Sequence, residues 1–314
     1  MRMDRKSIEA ANAADTVEIP AVAPAGTKSA QSGSASARVE IAGLSHPGKL
    51  RPNNEDHFLV GRFGRFLETL QSNLPEGEIA PRTDEIGYGM LVADGVGGST
   101  AGEVASKLAI STLVNLFLQA PDWILRVDES PLMQQVMRRA TERYERVNQA
   151  LVERAGNDAE LRGFATTLTL AVSLGRNLFV AHVGDSRAYL LRGRQLYQLT
   201  HDHTLAQSMA HLGMLSQKQV ASHHLRHVLM KALGSPEGEA DPEVHAHILD
   251  DGDGVLLCTD GLTEMVVEKT IADVLVSGAT PHEVCQELVD LALTAGGKDN
   301  VTVVFARYRF AKQN

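Results

Sequence analysis

Five aspartates occupy the kind of position that catalytic metal ligands take. They are Asp56 in Arg51-Pro52-Asn53-Asn54-Glu55-Asp56, Asp94 in Ala93-Asp94-Gly95-Val96-Gly97-Gly98, Asp185 in Gly184-Asp185-Ser186-Arg187, Asp260 in Thr259-Asp260-Gly261, and Asp299 in Lys298-Asp299-Asn300. Asp94, Asp185 and Asp260 each close an apolar run and precede a turn signal. A carboxylate at the end of a strand is cheaper to keep ionised than one inside a sheet, and it can face a shared cleft. Several anionic carboxylates cannot crowd one cleft without strong repulsion unless cations sit between them. A ligand set made only of oxygens suits hard ions such as Mg²⁺ or Mn²⁺ rather than zinc.

The elements that must position these residues are read from periodicity. Val39, Ile41 and Leu44 open a strand, and Phe58–Val60 and Gly89–Ala93 read as two more. Residues 61–86 carry Gly, Pro and charge without clear period and are expected to form an inserted surface loop or short helix. Ala101–Gln119 and Pro131–Arg154 have apolar stripes at helical spacing. Thr166–Leu174 and Leu178–Val183 flank a turn too short for a parallel crossover, which predicts a hairpin. Arg187–Leu191 and Gln195–Leu199 flank another, Thr204–Leu233 is short-helix material, and Val244–Leu249 and Val255–Cys258 are strands. Helices are expected near Thr263–Val276 and Pro281–Ala295, then a last strand over Val301–Arg307. Strand hairpins interrupted by two separate helix pairs predict an α+β fold of two antiparallel sheets with helices on their outer faces.

Composition narrows the class. A hydrophobic fraction of 43% and a charged fraction of 22% are those of an ordinary globular protein. The net charge of −9, with no Lys/Arg block, argues against a nucleic-acid binder. Cys258 and Cys285 have no partner motif, so neither a disulfide nor a zinc-cysteine site is expected. No signal peptide is evident and no stretch reads as long enough to span a membrane, which makes the cytoplasm the expected location. Residues 1–37 are rich in Ala, Ser, Gly and Pro and are expected to form a disordered tail. A folded domain is expected over 38–308, followed by a short tail over 309–314.

The ordered motifs Arg51…Glu55-Asp56, Asp94-Gly95-x-Gly97-Gly98, Ala165-Thr166-Thr167, Gly184-Asp185-Ser186-Arg187, Asp260-Gly261 and Asp299-Asn300 resemble those of the metal-dependent type 2C protein phosphatases, and of the bacterial members in particular. Each alone is weak, since Asp-Gly pairs are common turn sequences; their order is specific. The resemblance implies a four-layer α-β-β-α sandwich and hydrolysis of phosphoserine and phosphothreonine in proteins, opposing a cognate kinase. It implies two Mn²⁺ or Mg²⁺ ions and a third, weaker site. By resemblance, Asp94 bridges two metals and the Gly95 carbonyl is a further ligand. Asp260 and Asp299 complete the first metal. Glu55 or Asp56 serves the second, the other holding metal-bound waters. Asp185, with Asp260, marks the third site, and Arg51 grips the substrate phosphate with its forked donors.

The chemistry suits that set. Phosphate monoesters hydrolyse extremely slowly uncatalysed, and two cations about 4 Å apart both activate a bridging water and neutralise the phosphoryl oxygens. No side-chain nucleophile is needed, and Ser186 reads as a turn residue because nothing in sequence would activate it. Many eukaryotic relatives place a histidine, a proposed general acid, where this chain has Val96, so that step does not carry over. Ala165 replaces the usual glycine before the paired threonines, and Glu264 matches a position that is usually acidic. The histidines at 201/203 and 223/224/227 lack Cys partners or a His-Glu-x-x-His spacing and read as loop residues. Residues 204–233 resemble the variable flap beside the family's active site, and the chain is expected to be a monomer. A phosphoprotein-binding module and a two-metal nuclease are the competing classes. The intact acidic set disfavours the first, and the negative charge and ordered motifs disfavour the second.

Overall fold

A computed structural model of the chain describes residues 37–75, 78–97, 101–119, 132–235 and 240–311. The expected N-terminal tail lies, but for Ala37, outside the described residues, as do Gly98, Pro131 and the last three positions. Ala37 itself begins the first strand, β1 (Ala37–His46).

Eleven strands among the described residues form two antiparallel sheets. One has the order β1-β11-β10-β7-β8, built from β7 (Arg187–Arg192), β8 (Gln195–Gln198), β10 (Gly254–Cys258) and β11 (Val301–Phe310) with β1. The other runs β2-β3-β5-β6-β9, from β2 (Asp56–Glu68), β3 (Arg82–Val96), β5 (Leu168–Leu174), β6 (Asn177–Val183) and β9 (Glu243–Ile248), with the two-residue β4 (Ala165–Thr166) added to β3. Side chains alternate across a strand, so each sheet offers one face to the other sheet and one to helices. Met90, Val92, Ala171, Leu178 and Val180 meet Leu190, Val255, Leu257, Val304 and Tyr308 between the sheets. On the outer face of the β3 sheet, Leu91, Ala93, Leu170 and Ala181 pack under α1 (Ala101–Gln119) and α2 (Leu132–Asn157). On the opposite outer face, Leu256, Cys258, Val303 and Phe305 pack under α6 (Glu268–Leu275) and α7 (Pro281–Thr294). The order of layers is therefore α-β-β-α, the sandwich expected from sequence.

Four details differ from the sequence reading. Residues 61–86 are not an inserted loop throughout. β2 and β3 pair without interruption from Asp56↔Asp94 to Glu68↔Arg82, leaving only 69–81 outside the ribbon. Its outer half lies beyond the core, so its residues need no apolar alternation; cross-strand pairs such as Arg65–Glu85 hold it instead. The helix expected over Thr263–Val276 is broken into α5 (Asp260–Thr263) and α6, because Val267 is extended at ψ 145° and starts a new helix. β11 continues to Phe310, whose side chain is buried, so the folded domain does not stop at 308. Finally, α1 is long and apolar enough to match a membrane span by composition. Ala105, Ala109 and Leu113 are fully buried in the protein core.

Candidate metal centre

The alternation that builds the central core also builds the site. Met90 and Val92 face the opposite sheet, and two residues further on, near the end of β3, Asp94 takes the same face. Phe58 of β2 packs on that core, and Asp56, two residues before it, lies directly across the ladder from Asp94. On β11, Val304 is core and Thr302 is the polar residue one step towards the same end. One end of the gap between the sheets is thus closed by a polar layer instead of an apolar one. Asp185 enters from the β6–β7 turn, Asp260 from the first turn of α5, and Asp299 from just before β11.

Asp56, Asp94, the loop of Glu55 and the turn of Asp185 are each held by neighbours of their own. Asp56 is buried; its Oδ2 accepts hydrogen bonds from Thr259 Oγ1 at 2.8 Å and Thr302 Oγ1 at 2.7 Å. Its other oxygen, Oδ1, is buried without a hydrogen-bond partner among the described residues. Asp94 is clamped through its backbone: its N–H donates to Thr167 Oγ1 at 2.9 Å, and its carbonyl accepts from Thr166 Oγ1 at 2.8 Å and from the Thr167 N–H. Asn300 pins the motif loop, donating to the carbonyls of Pro47 and Asn53 and accepting the Glu55 N–H at 2.8 Å. Gly184 is at φ +116°, and a Cβ there would strike Thr167 Cγ2 at 2.4 Å, so only glycine lets the Asp185 turn close on the paired threonines. Ser186 is buried and hydrogen-bonds Thr167 Oγ1 at 2.8 Å, a structural contact.

The electrostatics are those of an anion cluster. Burial, then the charges of Asp56, Asp260, Asp185 and Asp299, raise the Asp94 carboxyl well above the usual carboxylate range. Asp260 is raised likewise by burial, Asp185 and Glu264. Asp56 and Asp185 are both pushed up to about 7, chiefly by burial. Glu55 is raised by burial, with Arg51 opposing the shift. Mutual repulsion among these groups shows that they share one cleft, and it is the condition that bound cations relieve.

The geometry fits a pair of hard cations. Glu55 Oε2 and the Gly95 carbonyl oxygen both lie 2.7 Å from the point where a Cβ on Gly102 would sit, so a side chain there would collide with both. A carboxylate and the carbonyl of the residue after Asp94, converging on one point, could hold one hard ion through oxygen, and Asp260 and Asp299 lie close enough to Asp94 for their charges to raise its pKa. Of the two residues left open by sequence, Glu55 is therefore the one that reaches this point. Asp56 stands behind, tethered by two threonines with one oxygen free. Arg51 is at the mouth, half-exposed, with Nη2 2.6 Å from Asp299 Oδ2. Val96, at 42% exposed, offers no proton.

Sequence reasoning missed the hydroxyls that hold Asp56. Thr259 follows the apolar strand β10 directly and Thr302 interrupts the apolar β11, and a polar residue at each of those places is the signal. Thr302→Val keeps the shape and removes one charge-assisted bond to a buried carboxylate. It is expected to cost about 1.5–3 kcal/mol in urea unfolding of the Mn²⁺-loaded protein, and to cost less in chelator, where Asp56 can protonate.

Glu264 joins the edge of the cluster. Its Oε1 lies 2.6 Å from His227 Nδ1 of the flap, and His227, Asp260 and Glu264 each bring a donor atom within 4.8 Å of the others. That contact ties the flap to the acidic cleft. The flap itself contains α3 (Leu205–His211) and α4 (Gln217–Val220) and otherwise turns.

Comparison with known proteins agrees with this architecture. The Protein phosphatase 2C family profile matches residues 80–290. The serine/threonine phosphatase stp of Listeria monocytogenes is 33% identical over 215 residues, covering 68% of this chain and 82% of its own. Protein phosphatase PhpP of Streptococcus pneumoniae is 30% identical over 84% of this chain and 96% of its own. The crystal structure of the Mycobacterium tuberculosis serine/threonine phosphatase PstP/Ppp superimposes with a TM-score of 0.68 at 32% identity, covering 86% of this chain and 99% of that one. A PstP catalytic domain solved in complex with two manganese ions gives a TM-score of 0.67 at 30% identity, covering 87% and 100%. With fold, ordered motifs and converging carboxylates in agreement, the chain belongs to the protein phosphatase 2C family.

Proposed function

We propose that the chain hydrolyses phosphoserine and phosphothreonine in proteins, using two Mn²⁺ or Mg²⁺ ions held by Asp94, Asp260, Asp299, Glu55 and the Gly95 carbonyl, and that it opposes a serine/threonine kinase. The observation that carries this reading is the convergence of buried carboxylates with raised pKa values on the end of the inter-sheet gap. When bound, two such ions supply an activated water and neutralise charge on the phosphoryl group. The chain's own residues do the rest. Arg51, exposed beside Asp299, is placed to present its fork to two phosphate oxygens. Asp56, facing the cleft with one free oxygen, is placed to accept a proton and to orient water, and Asp185 with Asp260 extends the acidic surface towards the flap. Val96 leaves the leaving alcohol without a side-chain acid at that position.

A phosphopeptide assay on the purified protein tests the reading. Activity is expected to vanish with EDTA and to return with Mn²⁺ or Mg²⁺; activity that survives exhaustive chelation refutes it.

The flap is proposed to select protein substrates. Leu205 and Met209 are half-buried against the fold, whereas Leu212 and Met214 are 76% and 64% exposed. Methionine-bearing surfaces adapt to varied partners. Leu212→Ser with Met214→Ser is expected to lower kcat/KM on a phosphoprotein by roughly tenfold, about 1.4 kcal/mol, and to spare a small aryl phosphate. Parallel losses on both substrates would leave only a packing role.

A further inference from the structure

A second cluster of ligating groups lies on the other side of the flap's root. Glu243 and His245, two residues apart on the edge strand β9, share one face of it. His201 meets them from the segment that joins β8 to the flap. His201 Nδ1 and His245 Nε2 each lie 2.6 Å from the same oxygen, Glu243 Oε1, and the three donor atoms lie within 4.8 Å of one another. Glu243 Oε2 accepts the His201 backbone N–H at 3.0 Å. From α3, His211 sets its ring edge-on to His201 with centroids 5.7 Å apart.

This donor set differs in kind from the carboxylate cleft. The cleft offers oxygen alone, whereas two imidazole nitrogens with one carboxylate form a ligand class that zinc and its neighbours prefer to magnesium. We propose that His201, Glu243 and His245 form a separate binding site for a borderline divalent transition ion of the Zn²⁺ class, with His211 placed to supply a fourth ligand.

The chemistry needs little rearrangement. A neutral imidazole carries one N–H, and moving that proton to the other ring nitrogen turns the nitrogen facing Glu243 into a lone-pair donor. Tetrahedral ligands at 2.0–2.1 Å from zinc stand roughly 3.3 Å apart, so each N···O separation has only to widen slightly. His201 and His245 side chains are 46% and 32% exposed, which leaves room for that movement and a path for the ion. Burial disfavours charge on Glu243, yet the hydrogen bonds from His201, His203 and His245 hold its carboxyl well below the usual range, so the anionic ligand is ready.

The position gives the site a consequence. His203, two residues after His201, donates its backbone N–H to the Gly184 carbonyl at 2.7 Å, and Gly184 N–H donates to His203 Nδ1 at 3.2 Å. Gly184 immediately precedes Asp185. An ion fixing His201 to β9 therefore fixes the start of the flap against the turn that carries Asp185.

Cobalt(II) tests this, because its visible absorption reports imidazole coordination. It is titrated into the untagged full chain in excess Mg²⁺, which keeps the oxygen cleft filled. The expected result is a visible band that saturates at one cobalt per chain and is displaced by zinc. His245→Ala and Glu243→Gln should each weaken zinc by at least about tenfold, while Mg²⁺-dependent turnover of an aryl phosphate without zinc is unchanged. Asp94→Asn, which disables the oxygen cleft, should keep the band. No band in the wild-type chain, a band indifferent to His245→Ala, or a band lost in Asp94→Asn would each overturn the proposal.

Discussion

Asp94→Asn is expected to lower kcat/KM by at least about a thousandfold and, at the same time, to raise the melting temperature of the chelated protein. The two effects have one cause. Asp94 is the carboxylate that all the others repel: Asp56, Asp260, Asp185 and Asp299 all raise its pKa on top of the burial that dominates the shift. Removing its charge takes away the shared ligand of the cation pair, and it also removes the largest source of repulsion when no cation is bound. The gain in chelator should be on the order of a few kcal/mol.

The pH dependence follows from the direction of the shifts. These carboxyls have folded-state pKa values raised above an unfolded value near 3.9. The native state therefore holds more protons than the unfolded chain across the interval from about 4 to about 7, and stability falls as pH rises through it. Below that interval both states are protonated and the penalty is absent; above it the penalty is complete for Asp56 and Asp185. In EDTA, the margin by which Asp94→Asn outmelts the wild type should grow from about pH 5 to about pH 8, and Mn²⁺ should abolish it. A wild-type chain that melts higher than Asp94→Asn in chelator at the upper pH would refute the repulsion account.

Much of this was legible in the sequence because the site sits where strands end. An apolar run followed by Asp-Gly fixes both the strand and the place where its last carboxylate emerges, as at Asp94 and Asp260. What was not legible comes from contacts across long stretches of chain. Thr259 and Thr302 converge on Asp56 from more than 200 positions away, and a threonine in a strand or just past its end looks like an ordinary residue of that place. Glu243 meets His201 across 42 positions, so a reading of the His201/His203 pair alone finds no ligand partner. The β2–β3 ribbon was hidden for a different reason. Beyond the core, its faces are not divided into buried and exposed, and the period that reveals a strand disappears although the pairing continues.

Arg51→Ala is expected to raise KM for phosphopeptides and for a small aryl phosphate by roughly 10- to 100-fold, the worth of a charge-assisted fork of about 1.5–3 kcal/mol. The structure adds a condition. Arg51 bonds Asp299, a proposed metal ligand, at 2.6 Å, so its loss has two routes to activity, one through the substrate and one through the metal. The signs of the two routes differ. If Arg51 holds phosphate, its removal leaves Asp299 with less competition for its oxygen, and Mn²⁺ affinity should hold or improve while KM rises. If Arg51 instead positions Asp299, Mn²⁺ affinity should fall and saturating Mn²⁺ should restore KM. Arg51→Lys separates charge from geometry, because lysine keeps the cation and loses the planar fork; it should recover only part of the lost binding. Measuring KM across an Mn²⁺ titration for the three proteins decides the matter. A KM that returns to the wild-type value at saturating Mn²⁺ in Arg51→Ala would remove Arg51 from substrate binding and leave it as the residue that orients Asp299.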